Sequence, residues 1–223
     1  MGFLNRITSL FGGKQNKVKK IQTTALPLSL DELTDEEKQF CTNAKLSEKD
    51  GLFLKKLTRH PIVLMQLEPD ESDIGPLDII CSTCPDEEAR TIVTNNLEYF
   101  KEQGKYLFMA DIGYKEYKIG LTGATSDPYK LMEFTGTNGA NYDISTHDII
   151  EKCKKWDKEF GIIPIGIGFD HLECIIKNTD IDFQRLAQEV YEFCSDIVEQ
   201  GTETVEALEK EMKRTGTIYL WWD

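Results

Sequence analysis

Thr217-Ile218-Tyr219-Leu220-Trp221-Trp222, followed by Asp223, decides how this chain is read. The run is β-branched and aromatic, which suits a pleated, packed surface. Alternation sets Ile218, Leu220 and Trp222 on one face and Tyr219 and Trp221 on the other. Both faces are apolar, so the segment is expected to be a strand covered on both sides rather than a strand at an open edge. Chain ends fray unless something ties them down, so an end this apolar is expected to be docked. Both indoles are read first as core, because large aromatics dominate packing. The functional alternative is that one of them rims a pocket together with Asp223.

Working back from this strand, Phe183, Leu186, Ala187, Val190, Tyr191 and Cys194 mark one amphipathic helix. Val205, Leu208 and Met212 mark another, opened at Thr202 and released by Gly216. The second half of the chain is read as packing around the strand that these helices clamp. Ser145 caps a further helix to Phe160, with Ile149, Ile150, Cys153, Trp156 and Phe160 inward and Gly161 as its stop. Strands at 162–167 and 172–176 flank a hairpin turn at Gly168-Phe169-Asp170-His171.

The first half follows the same logic. Thr34 and Ser47 each stand three residues before an acid and start two short helices. Strands are expected at 62–67, 77–81, 106–110 and 117–121, with a helix from the Thr83–Asp86 region to about Gln103 and a short one begun by Asp127-Pro128. The order is ββαββα and then αββααβ. This predicts an α+β fold of two packed α/β halves with mixed or antiparallel sheets and an N-terminal helical extension. The expected divisions are a tail and linker over 1–25, an N-terminal half over 26–135 and a C-terminal half over 136–223, with the turn-rich Gly136 to Asp143 stretch as the boundary.

The chain has 223 residues, 40% of them hydrophobic, and a net charge of −13. That suffices for a real core and argues against disorder. The charge is uneven. Residues 1–20 carry Arg6, Lys14, Lys17, Lys19 and Lys20 and no acid, so the rest of the chain stands at −18. Such a body is repelled by nucleic-acid backbone and suits a basic protein partner. Phe3, Leu4, Ile7, Leu10 and Phe11 share a helical face, so residues 3–20 offer a weak membrane contact. A flexible tail or self-docked helix is the favoured reading of them. No apolar run reaches membrane-spanning length. Six cysteines without an export signal are read as free thiols in a reducing cytoplasm.

The chain excludes more chemistry than it offers. His60, His147 and His171 lack metal spacing with one another or with the cysteines, so no metal is expected. There is no phosphate loop, dinucleotide fingerprint or nucleophile elbow, so no cofactor is expected. Cys81-Ser82-Thr83-Cys84-Pro85 follows a strand and is read as opening a helix, the placement of a thioredoxin-like redox pair. Cys194 with His171 as base is a second conceivable nucleophile, set against a buried helical cysteine.

From Asp127 to Asp223 the chain resembles the bacterial domain-of-unknown-function family 4253. The resemblance rests on Gly136-Thr137-Asn138-Gly139-Ala140-Asn141-Tyr142-Asp143-Ile144 and on Trp156-Asp157 with Phe160-Gly161. It continues through Glu189-Val190-Tyr191-Glu192-Phe193-Cys194, Asp196-Ile197-Val198, Gln200-Gly201-Thr202 and Trp221-Trp222-Asp223. Ser195 stands where the family often has proline, and the Cys81/Cys84 pair is outside the pattern. The resemblance implies a bacterial, cytoplasmic, single polypeptide and brings no activity, cofactor or catalytic residue. Asn141, Tyr142, Asp196, Gln200, Gly201, Trp222 and Asp223 are the candidate binding residues, expected to converge on one groove beside the last strand. The leading functional reading is a non-catalytic acidic protein-binding domain, with neutralisation of a basic partner, as immunity proteins do, as its concrete form. The alternative is an enzyme, either a thiol oxidoreductase at Cys81/Cys84 or a hydrolase using the polar motif residues.

Overall fold

The computed structural model describes residues 29–67, 76–112 and 116–222. The tail expected over residues 3–20, its membrane contact, and Asp223 lie outside these residues.

Two short helices come first, α1 (Asp35–Asn43) and α2 (Glu48–Thr58), each begun by a reciprocal capping box, Thr34 with Glu37 and Ser47 with Asp50. The first half then runs β1 (Ile62–Leu67), β2 (Leu77–Pro85), α3 (Asp86–Lys101), β3 (Tyr106–Ile112), β4 (Glu116–Thr122) and α4 (Pro128–Thr135). The second runs α5 (Thr146–Phe160), β5 (Ile162–Ile167), β6 (His171–Ile176), α6 (Phe183–Phe193), a wide π-helical turn (Ile197–Thr202), α7 (Val205–Thr215) and β7 (Thr217–Trp221). The fold is α+β, and the strands of both halves form one seven-stranded mixed sheet in the order β1-β2-β4-β3-β5-β6-β7.

The halves meet where β3 and β5 pair in parallel; the other neighbours are antiparallel. Polar ties cross this seam. The buried Tyr106 hydroxyl donates to the Pro164 carbonyl at 2.6 Å. Arg90 on α3 forms an ion pair with the buried Glu173 of β6. Proline is tolerated at 164 because the β5–β6 register shifts there.

Two expectations need correction. The last strand is not interior: among the described residues β7 ends the sheet and pairs only with β6. Its side chains are nonetheless covered, with Ile218, Leu220, Trp221 and Trp222 buried. Alternating apolar residues report on the two faces of a strand and carry no information about its two hydrogen-bonding edges. Gly216 accepts from Ile176 and Trp222 donates to Asp170, so the even positions bond toward β6 and the odd ones face outward. At Trp221 the outward carbonyl takes the Cys194 thiol at 2.9 Å.

The second correction is the start of the last helix. Thr204, not Thr202, is its cap, accepting from the Ala207 amide at 3.1 Å. The Thr202 hydroxyl instead bonds the Ile197 and Thr204 carbonyls. Gly201 weakens α-helix continuation, and the turn closes with an i to i−5 bond from Glu203 to Val198 at 2.8 Å. Glu203 leaves it at φ +70°, unusual for a non-glycine residue.

Candidate functional site

The candidate site is built from two segments that meet at the β7 end of the sheet. The first begins where Gly136 ends α4 in the left-handed conformation. Buried Thr137 donates to the Gly168 carbonyl at 2.7 Å and the Asn138 amide to the Phe169 carbonyl at 2.8 Å, fixing the loop to the β5–β6 turn. The Asn138 side chain braces the loop from inside, donating to Gly136 and accepting from Ala140. Gly139 and Ile144 then exchange two backbone bonds, closing a small turn that carries Asn141, Tyr142 and Asp143 at the surface.

The second segment follows α6. Cys194 and Asp196 point inward, and Ser195 accepts the amides of Val198 and Glu199 to start the π-helical turn. Asp196 is only 2% exposed. It accepts the Tyr142 hydroxyl at 2.5 Å and the Gln200 amide at 3.1 Å. A hydrogen bond to an ionised acceptor is strong, and this one pushes the Tyr142 phenol up to about 12. Tyr142 is 43% exposed, so a surface tyrosine is tied through its hydroxyl to a buried carboxylate.

Under the same loop lies Trp222. A Cβ on Gly139 would stand 2.8 Å from its Cγ and Cδ1, so glycine is required there by contact. Trp222 meets Phe193 edge to face at 6.0 Å, and Phe193 meets Trp156 at 5.8 Å. Of the residues proposed for the groove, Tyr142, Asp196 and Gln200 are joined by hydrogen bonds and Trp222 packs beneath their loop. Asn141 and Gly201 are their chain neighbours. A shallow groove of about 420 Å³ lies elsewhere, across α6 and α7 and lined by Asp182, Arg185, Gln188, Glu206 and Glu209.

Along the sequence, charge separates here, although Glu189 is paired with Lys152, Lys155 and Arg185 and Glu209 with Lys213. Residues 131–151 contain Glu133, Asp143, Asp148 and Glu151 but no lysine or arginine. Residues 186–209 contain Glu189, Glu192, Asp196, Glu199, Glu203, Glu206 and Glu209 and again no lysine or arginine. These two windows meet at the Tyr142–Asp196 bond, with Asp143, Glu199 and Glu203 exposed. Composition by window, rather than over the whole chain, carries that signal. Gly139 has no comparable signal, because its contact with Trp222 bridges distant parts of the sequence.

The thiol sites are differently placed from their expectations. β2 continues through Pro85, and α3 begins at Asp86, so Cys84 does not open a helix. Cys81 and Cys84 are both fully buried and, three residues apart on a strand, point to opposite faces. Burial pushes the Cys84 thiol up to about 11, the reverse of a redox-active cysteine. Cys194 is likewise pushed to about 12, chiefly by burial, and donates to a carbonyl. His171 holds Asp170 through Nδ1 at 3.1 Å and lies stacked beside Tyr219. Among the described residues no group of three histidine, cysteine or acidic side chains is arranged to hold a metal ion. No helix among them is long and apolar enough to cross a membrane.

In comparison with known families, residues 119–223 match the model of a domain of unknown function, DUF4253. No curated protein matches the chain, and no solved structure does.

Proposed function

From the premise that residues 119–223 are a DUF4253 domain, a domain of unknown function, we propose that the protein is a non-catalytic binding domain for a basic protein partner. The partner docks on the surface around Tyr142. One observation carries this reading: an exposed tyrosine is pinned by a buried carboxylate where two segments free of lysine and arginine meet. Tyrosine gives large contact area at low entropic cost, and anchoring its hydroxyl removes part of that cost before binding. The acids around it steer a cationic partner and reject an anionic one.

The finer form of the proposal is a bacterial cytoplasmic protein that neutralises a basic partner, as immunity proteins do. It rests on charge and on analogy. All six cysteines are free and buried, which suits a reducing compartment.

The test is capture from the native cell with the wild-type protein and with an Asp143→Lys, Glu199→Lys double variant, at low and high salt. The expected result is a basic protein retained by wild type at low salt, released at high salt and lost in the variant. Equal retention by both proteins, or an acidic partner, would overturn the reading.

A further inference from the structure

The two ends of the sheet are finished differently. At β7 the outward carbonyl of Trp221 takes the Cys194 thiol, and the Thr217 amide donates to the Thr215 hydroxyl. At β1 only the first position is closed: the Ile62 amide donates to Glu37 at 3.2 Å. That bond points away from β2, so Ile62, Leu64 and Gln66 turn their backbone groups outward while Val63, Met65 and Leu67 bond to β2. The Asp78 carbonyl, opposite Gln66, agrees with this alternation, since it accepts from Thr122 of β4 and faces away from β1. Among the described residues the outward amides and carbonyls of Leu64 and Gln66 have no partner.

Sheet edges are ordinarily blunted by a charge, a proline or a bulge. β1 is Ile-Val-Leu-Met-Gln-Leu, without charge or proline, and its register with β2 is unbroken from Ile62 to Leu67. On one of its faces Val63 is 45% exposed and Met65 and Leu67 are partly buried. A neutral strand offers a basic partner nothing to grip, and it is where two copies of a chain at −13 approach with least repulsion. The flanking charges favour an antiparallel approach. The sequence enters β1 through Arg59, an exposed residue paired with Glu88, and His60, and continues past Leu67 with Glu68, Asp70 and Glu71. Antiparallel pairing sets the basic entry of one copy on the side of the acidic exit of the other.

We infer that β1 is a self-association edge, where two copies of this chain pair antiparallel about a two-fold axis and join their sheets into one. Glu37 selects the register. Leu64 opposite Leu64 would set Gln66 against Ile62, whose amide is already taken. Leu64 opposite Gln66 uses only free groups and forms four backbone bonds. Met65 then meets its counterpart across the axis and Val63 meets Leu67, which covers the exposed apolar face. The surface around Tyr142 lies at the β7 end of each sheet and stays open in the pair.

Amide hydrogen exchange by NMR on the full-length ¹⁵N-labelled protein, run beside sedimentation over a concentration series, tests this edge. The expected result is a dimer whose fraction rises with concentration. The Leu64 and Gln66 amides slow in step with it, while those of Val63 and Met65, already held by β2, stay protected throughout. Gln66→Pro removes one outward amide from each copy and none of the β1–β2 ladder. Two of the four bonds are lost, so self-association is expected to weaken about tenfold or more. Gln66→Ala keeps the amide and is expected to dimerise like wild type. Val63→Lys puts a charge in the contact from an exposed position, touches no backbone group, and is expected to weaken the dimer as Gln66→Pro does. A monomer at every concentration would overturn the inference. So would Leu64 and Gln66 amides that exchange at one rate throughout, or a dimer that Val63→Lys leaves intact.

Discussion

Glu37 in the first half of the molecule and Asp196 in the second are both buried carboxylates, and they are satisfied in opposite ways. Glu37, 5% exposed, takes the ammonium of Lys55 at 2.7 Å and the amides of Thr34 and Ile62 at 2.8 and 3.2 Å. Lys55 is itself 2% exposed and also donates to the Glu32 carbonyl. That network is closed: it stitches α1 to α2 and β1. Asp196 is equally buried, yet Tyr142 and Gln200, two side chains that donate to it, belong to residues exposed at the surface. Burial alone therefore does not separate a structural acid from a functional one. Donors at the surface couple a buried acid to whatever the surface meets, and buried donors do not.

The comparison can be broken from its strongest side first. Lys55→Met leaves Glu37 without its cation and should cost about 3–5 kcal/mol in denaturant unfolding. Tyr142→Phe removes one donor from Asp196 and should cost about 1–3 kcal/mol. Gln200→Ala removes the longer bond and should cost about 0.5–1.5 kcal/mol. If Tyr142→Phe proves as costly as Lys55→Met, the surface network is a structural one and the contrast disappears.

A third carboxylate sharpens the contrast through pH. Glu189 accepts from the Trp156 indole and is paired with Lys152, Lys155 and Arg185. Desolvation opposes its ionisation, but these partners outweigh it and hold the carboxyl down to about 2, from an ordinary 4.5. A depressed folded value means that its stabilisation is complete above about 4.5 and is lost as pH falls from there toward 2. Glu189→Gln should flatten the acid limb of a stability–pH curve over that window and leave the neutral limb parallel to wild type.

Much of the fold was legible because its signals are local. The Thr34, Ser47 and Ser145 boxes lie three residues from their partners, and the order ββαββα then αββααβ follows from periodicity. What escaped is non-local. The edge position of β7 depends on which strands pair, which no alternation pattern records. Cys84 reads as a helix start because Thr83 and Pro85 are turn and cap residues, while pairing with β4 extends the strand to Pro85. At the site, Tyr142 and Asp196 both stand in motif stretches, but the bond between them spans 54 residues. The motifs named the participants and the fold supplied the geometry. The acidic windows around Asp143 and Glu199 do not show in the net charge, because the basic residues at 152–158 and 210–214 offset them.

The most direct measurement of the central claim is site-specific photo-crosslinking in the native cell, with the crosslinking residue placed at Asn141, at Glu199 and, as a control, at Lys49 on α2. The account predicts one basic protein joined from positions 141 and 199 and absent from position 49. Crosslinks of the same kind from all three positions, or from position 49 alone, would contradict it.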